Sequence, residues 1–185
     1  MSKSLAGVVL AAGAGARYGG PKALARDHLG AWLPRACALL AGAGCDPVIA
    51  VLGARTDDAA ALLPRDVAGV VAEDWASGIG ASLRAGLEAA LDAGAGAVLV
   101  TLVDLPGLAP EAVGRVAALW RGDDAVLARA VDAGVPGHPV LLGAAHVRAL
   151  MPTLDGDTGA GPYLAEHGAQ QVDCTGLGAA ADVDG

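Results

Sequence analysis

Short apolar runs of strand length, each broken by glycine or a turn residue, set the rhythm of this chain. Residues 5–10, Leu-Ala-Gly-Val-Val-Leu, are the first such run and stop at a glycine-rich segment, which predicts a buried strand feeding a loop. Helical spacing comes next: Leu33, Cys37 and Leu40, with Leu29, share a face, and a helix over 33–43 ends at Gly42-Ala43-Gly44. Residues 47–52 predict a second strand, 53–57 a turn, 57–63 a short helix stopped by Pro64, and 67–72 a third strand. The small-residue stretch 73–87 opens a helix that reaches about residue 93. A turn and strand over 94–101 follow, within the apolar run Ala-Val-Leu-Val-Thr-Leu-Val that ends at Asp104. The second half continues with a helix over 110–120 that starts on proline, a strand over 125–130 and another over 139–142.

Strand and helix thus alternate almost throughout. That pattern predicts an α/β fold: a three-layer sandwich, mostly a parallel twisted sheet with helices on both faces, one domain over residues 1–185. Right-handed crossovers then bring ligands to the carboxyl ends of the strands. No apolar stretch reaches the roughly 18 to 20 residues a bilayer demands. Ser2-Lys3-Ser4 leads into a strand rather than a cleavage site, so the expected location is cytoplasmic, with no membrane partner.

Charge narrows the partners. A net charge of −8 argues against a nucleic-acid binder, whose affinity comes from clustered Lys and Arg, and with 3% aromatics and no Phe there is no base-stacking surface. Cys37, Cys45 and Cys174 are odd in number and lack Cys-x-x-Cys spacing, which suits neither a disulfide framework nor a zinc site; buried, reduced thiols are expected.

The candidate chemistry starts where the first strand stops. Ala11-Ala12-Gly13-Ala14-Gly15 leads to Arg17, Gly19-Gly20, Pro21 and Lys22. Glycines let several backbone N–H groups face one anion, and Arg17 and Lys22 supply the charge that backbone dipoles lack, so a polyphosphate is the natural ligand. The Walker pattern fails here, because Pro21 precedes Lys22 and Ala23 replaces the magnesium-binding hydroxyl; the dinucleotide pattern fails at Tyr18, where glycine is needed. Asp104 closes the most apolar strand at the same sheet edge. A lone carboxylate there serves as a turn residue or as a magnesium ligand, and magnesium favours one or two carboxylates plus phosphate oxygens.

The pattern formed by Leu10, Ala11, Ala12, Gly13, Gly15, Arg17, Gly19 and Lys22 resembles the opening signature of GT-A-type nucleotidyltransferases, a Rossmann-like fold. Val103-Asp104-Leu105-Pro106 resembles the Asp-x-Pro motif of the molybdenum cofactor nucleotidyltransferases, with Leu105 where Gln is frequent. Trp75, Gly78, Ser82, Leu83, Gly86 and Leu87 resemble the segment that contacts base and ribose in the cytidylyl branch, an ordinary loop and helix start being the alternative account that their place after the glycine loop disfavours. Gly137-His138-Pro139-Val140 and the segment from Asp155 to Ala160 are also similar to that family. His138 then lines the acceptor pocket or merely holds a turn, and Asp157 closes over the acceptor or, with Thr158, caps a short helix. Ala181-Asp182-Val183-Asp184 resembles an Asp-x-Asp segment that recruits a second metal ligand; a frayed terminus is the plainer account of Asp182.

The resemblance is to the molybdenum cofactor cytidylyltransferase-like family, the MobA-like NTP transferases. It implies a nucleotidyltransferase passing CMP from CTP to a phosphorylated small molecule, molybdopterin or its molybdenum form, with Mg2+ or Mn2+. Arg17, Lys22 and Asp104 are then the catalytic set. Leu10, Ala11, Ala12, Gly13, Gly15, Arg17, Lys22, Gly78, Ser82 and Asp104 hold the nucleotide, His138 and Asp157 face the acceptor, and Asp104 and Asp182 hold the metal. Passing contact with a molybdoenzyme or cofactor-insertion protein is implied as well. Ala12 matches cytidylyl members, where guanylyl members carry a second glycine. A sugar- or polyol-phosphate nucleotidyltransferase, a guanylyltransferase of the same family and, more distantly, a non-catalytic nucleotide- or cofactor-binding chaperone are the alternatives.

Overall fold

A computed structural model describes residues 3–183. Its centre is a seven-stranded mixed sheet built from β1 (Ser4–Leu10), β4 (Val48–Leu52), β5 (Val67–Val71), β6 (Ala95–Leu102), β7 (Leu127–Asp132), β8 (Val135–Gly143) and β9 (Gln170–Asp173). The spatial order is β5-β4-β1-β6-β8-β7-β9, and a separate two-stranded hairpin pairs β2 (Arg26–Asp27) with β3 (Gly30–Ala31). The left half, β5 to β6, is parallel; β8 runs antiparallel to both β6 and β7. Helices α1 (Trp32–Gly42), α2 (Thr56–Ala60), α3 (Ile79–Asp92), α4 (Pro110–Ala117), α5 (Ala144–Leu150) and α6 (Gly161–Glu166) complete the layers.

The sheet separates two apolar cores. Leu33, Cys37 and Leu40 of α1 join Val113 and Val116 of α4 on one face. Leu83 and Leu87 of α3, Val147 and Leu150 of α5 and Leu164 of α6 fill the other. β1 and β6 are buried on both faces, which is why each reads as a continuous apolar run rather than an alternating one.

Most expected elements stand within a few residues of their predicted bounds, and the departures have physical causes. Residues 135–138 are not a turn before the strand but its first half. The turn is Ala133-Gly134, both at positive φ, and a two-residue connection makes an antiparallel hairpin where a parallel crossover has no room. Leu29 leaves the face of α1 and is 65% exposed in the turn of the small hairpin. α6 starts at Gly161 with Ala160 at its cap and no side-chain cap bond, so neither Asp157 nor Thr158 caps it. α5 and β9 carry short, mixed patterns without a clear period and were not foreseen.

Two consequences are measurable. A Cβ on Gly86 would lie 2.7 Å from Val8 Cγ1 and 2.8 Å from Val51 Cγ2, since α3 packs its glycine directly on the sheet. Gly86→Val is expected to cost about 1–3 kcal/mol in urea unfolding through overpacking. All three thiols are free and buried. Burial pushes Cys37 and Cys45 up to about 12 and raises Cys174. Folded protein at pH 8 should therefore leave 5,5′-dithiobis(2-nitrobenzoate) unreacted, and all three thiols should titrate once guanidinium unfolds the chain. The same shifts stabilise the fold fully below the thiols' ordinary value near 9, and that contribution falls as pH rises toward 12.

Candidate active site

Three neighbouring strands deliver their carboxyl ends to one edge, where the backbone laces the loops together. Ala11 N–H donates to Val51 O at 3.0 Å, Val103 N–H to Leu10 O at 3.1 Å and Ala54 N–H to Ala12 O at 2.9 Å. The loop after β1 turns at Gly15, φ 60°, whose carbonyl accepts N–H bonds from Gly19 at 2.9 Å and Gly20 at 3.1 Å. A Cβ on Gly15 would sit on the Gly20 carbonyl oxygen, so both the handedness and the closeness of this turn need glycine.

That turn delivers Lys22 to Asp104. Nζ lies 2.8 Å from Oδ2, across 82 residues of chain, with the two side chains only 13% and 19% exposed. The other carboxylate oxygen, Asp104 Oδ1, is buried with no hydrogen-bond partner. An ionised oxygen held out of water and unbonded is costly to keep, and a hard divalent cation is a fitting partner for it. Among the described residues no cluster of three His, Cys, Asp or Glu side chains is arranged to hold a metal alone. A cation on Asp104 would draw on phosphate oxygens and water among its ligands, the coordination magnesium favours.

The pair stands in a cleft of about 390 Å3 lined by Leu10, Ala11, Ala12, Gly13, Gly15, Lys22, Gly78, Ser82, Asp104 and Asp157. Trp75 forms a wall beside the loop. Opposite it, Gly80 N–H donates to Gly156 O at 3.0 Å, which holds the 155–158 loop against the start of α3; a Cβ at Gly78 would collide with the Gly156 carbonyl. Asp157 thus lies in the cleft with the glycine loop. Arg17 is exposed on the outer limb of the loop and does not line the cleft.

His138 occupies a second, adjoining cavity of about 300 Å3 that shares Leu10, Ile79 and Leu102 with the first. Its Nδ1 lies 3.4 Å from Val100 O, and burial pushes its pKa down, so the imidazole is neutral at pH 7. Asp182 is not on a free end: Val183 N–H donates to Asp104 O at 3.1 Å and places the exposed Asp182 beside the cleft. His138 N–H donates to Ala179 O at 2.8 Å, so the same C-terminal segment reaches both Asp104 and His138.

Sequence reasoning missed Arg129, which lines the His138 cavity from β7. The available signal was an isolated cation in a strand of alternating burial, Leu127 to Asp132. It also missed the stitching by residues 174–183, whose glycines and lack of apolar period read as loop. A further cavity of about 460 Å3 lies between α1 and α4. Its one charged lining residue, Arg35, is already held by Asp27 at 2.8 Å and by the Pro106 carbonyl at 2.8 Å.

Known proteins share this architecture. The chain is 36% identical over 189 residues to nicotine blue oxidoreductase of Paenarthrobacter nicotinovorans, covering 96% of this chain and 91% of that protein. The crystal structure of Rv0371c from Mycobacterium tuberculosis H37Rv superposes with a TM-score of 0.83 at 27% identity, over 100% of this chain and 94% of that one. Rv0371c has also been solved in complex with manganese, with a TM-score of 0.74 at 24% identity over 99% and 94% of the two chains. A nucleotidyl transferase from Methanothermobacter thermautotroptrophicus aligns with a TM-score of 0.74 at 24% identity over 92% and 87%, a likeness of fold. The model of the MobA-like NTP transferase domain matches residues 7–172, a span that contains the glycine loop, Lys22, Asp104 and His138. The chain therefore belongs to the MobA-like NTP transferase domain family and is a nucleotidyltransferase.

Proposed function

We propose that this enzyme transfers CMP from CTP to the phosphate of a small-molecule acceptor, molybdopterin or its molybdenum form being the acceptor its family resemblance implies. The observation that carries the reading is the Lys22–Asp104 pair beneath the glycine loop, with Asp104 Oδ1 buried and unbonded. In solvent-poor surroundings the two side chains neutralise each other until a triphosphate arrives. Lys22 Nζ then turns to the phosphates, and the backbone N–H groups of residues 13–15 face the same oxygens. Arg17 closes from the outer limb of the loop onto the leaving phosphates. A divalent cation, magnesium or manganese, neutralises phosphate charge when bound; Asp104 would hold it, with Asp182 as the second carboxylate.

An acceptor phosphate oxygen attacks the α-phosphorus in line. One new P–O bond forms, the bond to the bridging α–β oxygen breaks, and pyrophosphate carries that electron pair away. The nucleophile is already ionised at neutral pH, so no general base is needed, and positioning with charge neutralisation supplies the catalysis. Gly78 and Ser82 at the start of α3 and Trp75 beside the loop suit the base and ribose. Ala12, buried under the loop, carries a methyl that narrows the cleft relative to glycine and favours a pyrimidine over a purine. The absence of any described helix long and apolar enough to cross a membrane is compatible with a cytoplasmic transferase.

The 36% identical relative carries an oxidoreductase's name, which gives a second reading: a nicotinamide dinucleotide in place of the triphosphate. Tyr18 at the third position of the dinucleotide pattern weighs against it.

One experiment separates these readings. Pyrophosphate release is measured with each of CTP, GTP, UTP and ATP against molybdopterin, its molybdenum form and glucose 1-phosphate, and NADH and NADPH oxidation is followed in parallel. Release with CTP and a pterin acceptor is expected; release only with the sugar phosphate moves the enzyme to the sugar class, and oxidation without release overturns transfer. In the productive pair, Lys22→Ala and Asp104→Ala should each lower turnover at least a hundredfold with an unchanged far-UV circular dichroism spectrum, and an active Asp104→Ala enzyme removes the metal role.

A further inference from the structure

The second cavity carries chemistry that neither the glycine loop nor the metal site uses. Its lining is aliphatic on three sides: Leu10, Val100 and Val140 from the sheet, Leu83 from α3 and Leu164 from α6. At residues 159–161 the wall is Gly-Ala-Gly and contributes little bulk. Its volume, about 300 Å3, sits at the lower end for small-molecule sites. Into this apolar chamber the sheet projects two polar side chains. His138, Val140 and Leu142 alternate onto the same face of β8, and Arg129 of β7 stands in register opposite Val140.

Arg129 is the unusual one. It is partly buried, its Nε is buried without a hydrogen-bond partner, and among the described residues it has no ion pair. Asp104 holds Lys22 and Asp132 accepts the Gly176 N–H at 3.1 Å, and no carboxylate among the described residues, the exposed Asp182 included, is paired with Arg129. An Nε–H that loses water without gaining an acceptor carries a desolvation cost, and its place in the chamber wall points to a ligand that supplies the acceptor. His138 complements it. Val100 O can only accept, so Nδ1 carries the imidazole proton and Nε2 remains an acceptor.

We infer that Arg129 is a specificity-determining residue that pairs with an anionic group on the body of the acceptor, away from its reacting phosphate, where that body sits between β8, α3 and α6. This rests on the transferase reading only for the position of the reacting phosphate, which the shared wall of Leu10, Ile79 and Leu102 puts at the boundary of the two cavities.

The test uses binding, so it does not depend on turnover. Isothermal titration calorimetry of the whole protein compares 1-naphthoate with its uncharged isostere 1-naphthamide. The carboxylate should bind at least tenfold more tightly, Arg129→Gln should remove that preference, and Arg129→Lys should keep most of it. Ala160→Trp, which fills the chamber from its rim, should abolish binding of both probes. Equal affinity for the two probes, no binding of 1-naphthoate to the wild-type protein, or an unchanged preference in Arg129→Gln overturns the inference. The wild-type comparison of the two probes decides the matter even if a variant fails to fold. Failure of every triphosphate in the pyrophosphate assay, with naphthoate preference intact, instead overturns transfer and leaves the anion site standing.

Discussion

The ion pair of Lys22 with Asp104 joins the two segments on which the site depends. One partner follows the glycine loop of β1 and the other follows β6, the adjacent strand, so a contact separated by 82 residues of chain is local in the sheet. Most of each side chain is out of water, where an unpaired charge is strongly disfavoured; the pair therefore holds the loop in place. Yet Asp104 leaves one oxygen unsatisfied. A wholly satisfied pair would be a structural clamp, whereas this one leaves a buried carboxylate oxygen without a partner.

Close backbone approach does for the walls what charge does for the floor. Gly78 admits the Gly156 carbonyl, Gly137 admits the Ala179 carbonyl and Gly178 admits the Gly107 carbonyl, each at a point where a Cβ would collide. These contacts seal the 155–158 loop and the C-terminal segment around the cleft. The abundant glycine of this chain is thus not uniformly slack: at these positions it lets distant loops share hydrogen bonds, as Gly80 does with Gly156 and His138 with Ala179.

The antiparallel arm changes what the second half of the chain can do. Because Ala133-Gly134 folds β8 straight back on β7, His138 and Arg129 come onto the sheet face beside the carboxyl end of β6. The glycine-loop cleft is furnished by the parallel half and the adjoining chamber by the antiparallel half, with Leu10, Ile79 and Leu102 between them. This division gives a physical route by which members of one family keep a nucleotide site while exchanging the molecule that meets it.

What the sequence by itself determined was local and directional. Apolar runs such as that of β6 are long enough to mark buried parallel strands, and a glycine loop followed by Lys22, with Asp104 ending a strand, needs no tertiary information to suggest phosphate chemistry. Helix α1 was legible for the same reason, since Leu33, Cys37 and Leu40 recur with helical period. Tertiary structure decided what depends on partners far along the chain. Only packing of the 155–158 loop on α3 puts Asp157 beside the glycine loop, and only the bond from Val183 to Asp104 brings Asp182 to the cleft. Arg129 was silent in the sequence because a cation in a strand looks like an edge or surface residue until the face it projects from is known. Side-chain direction in a strand is set by register, and register is a property of the assembled sheet.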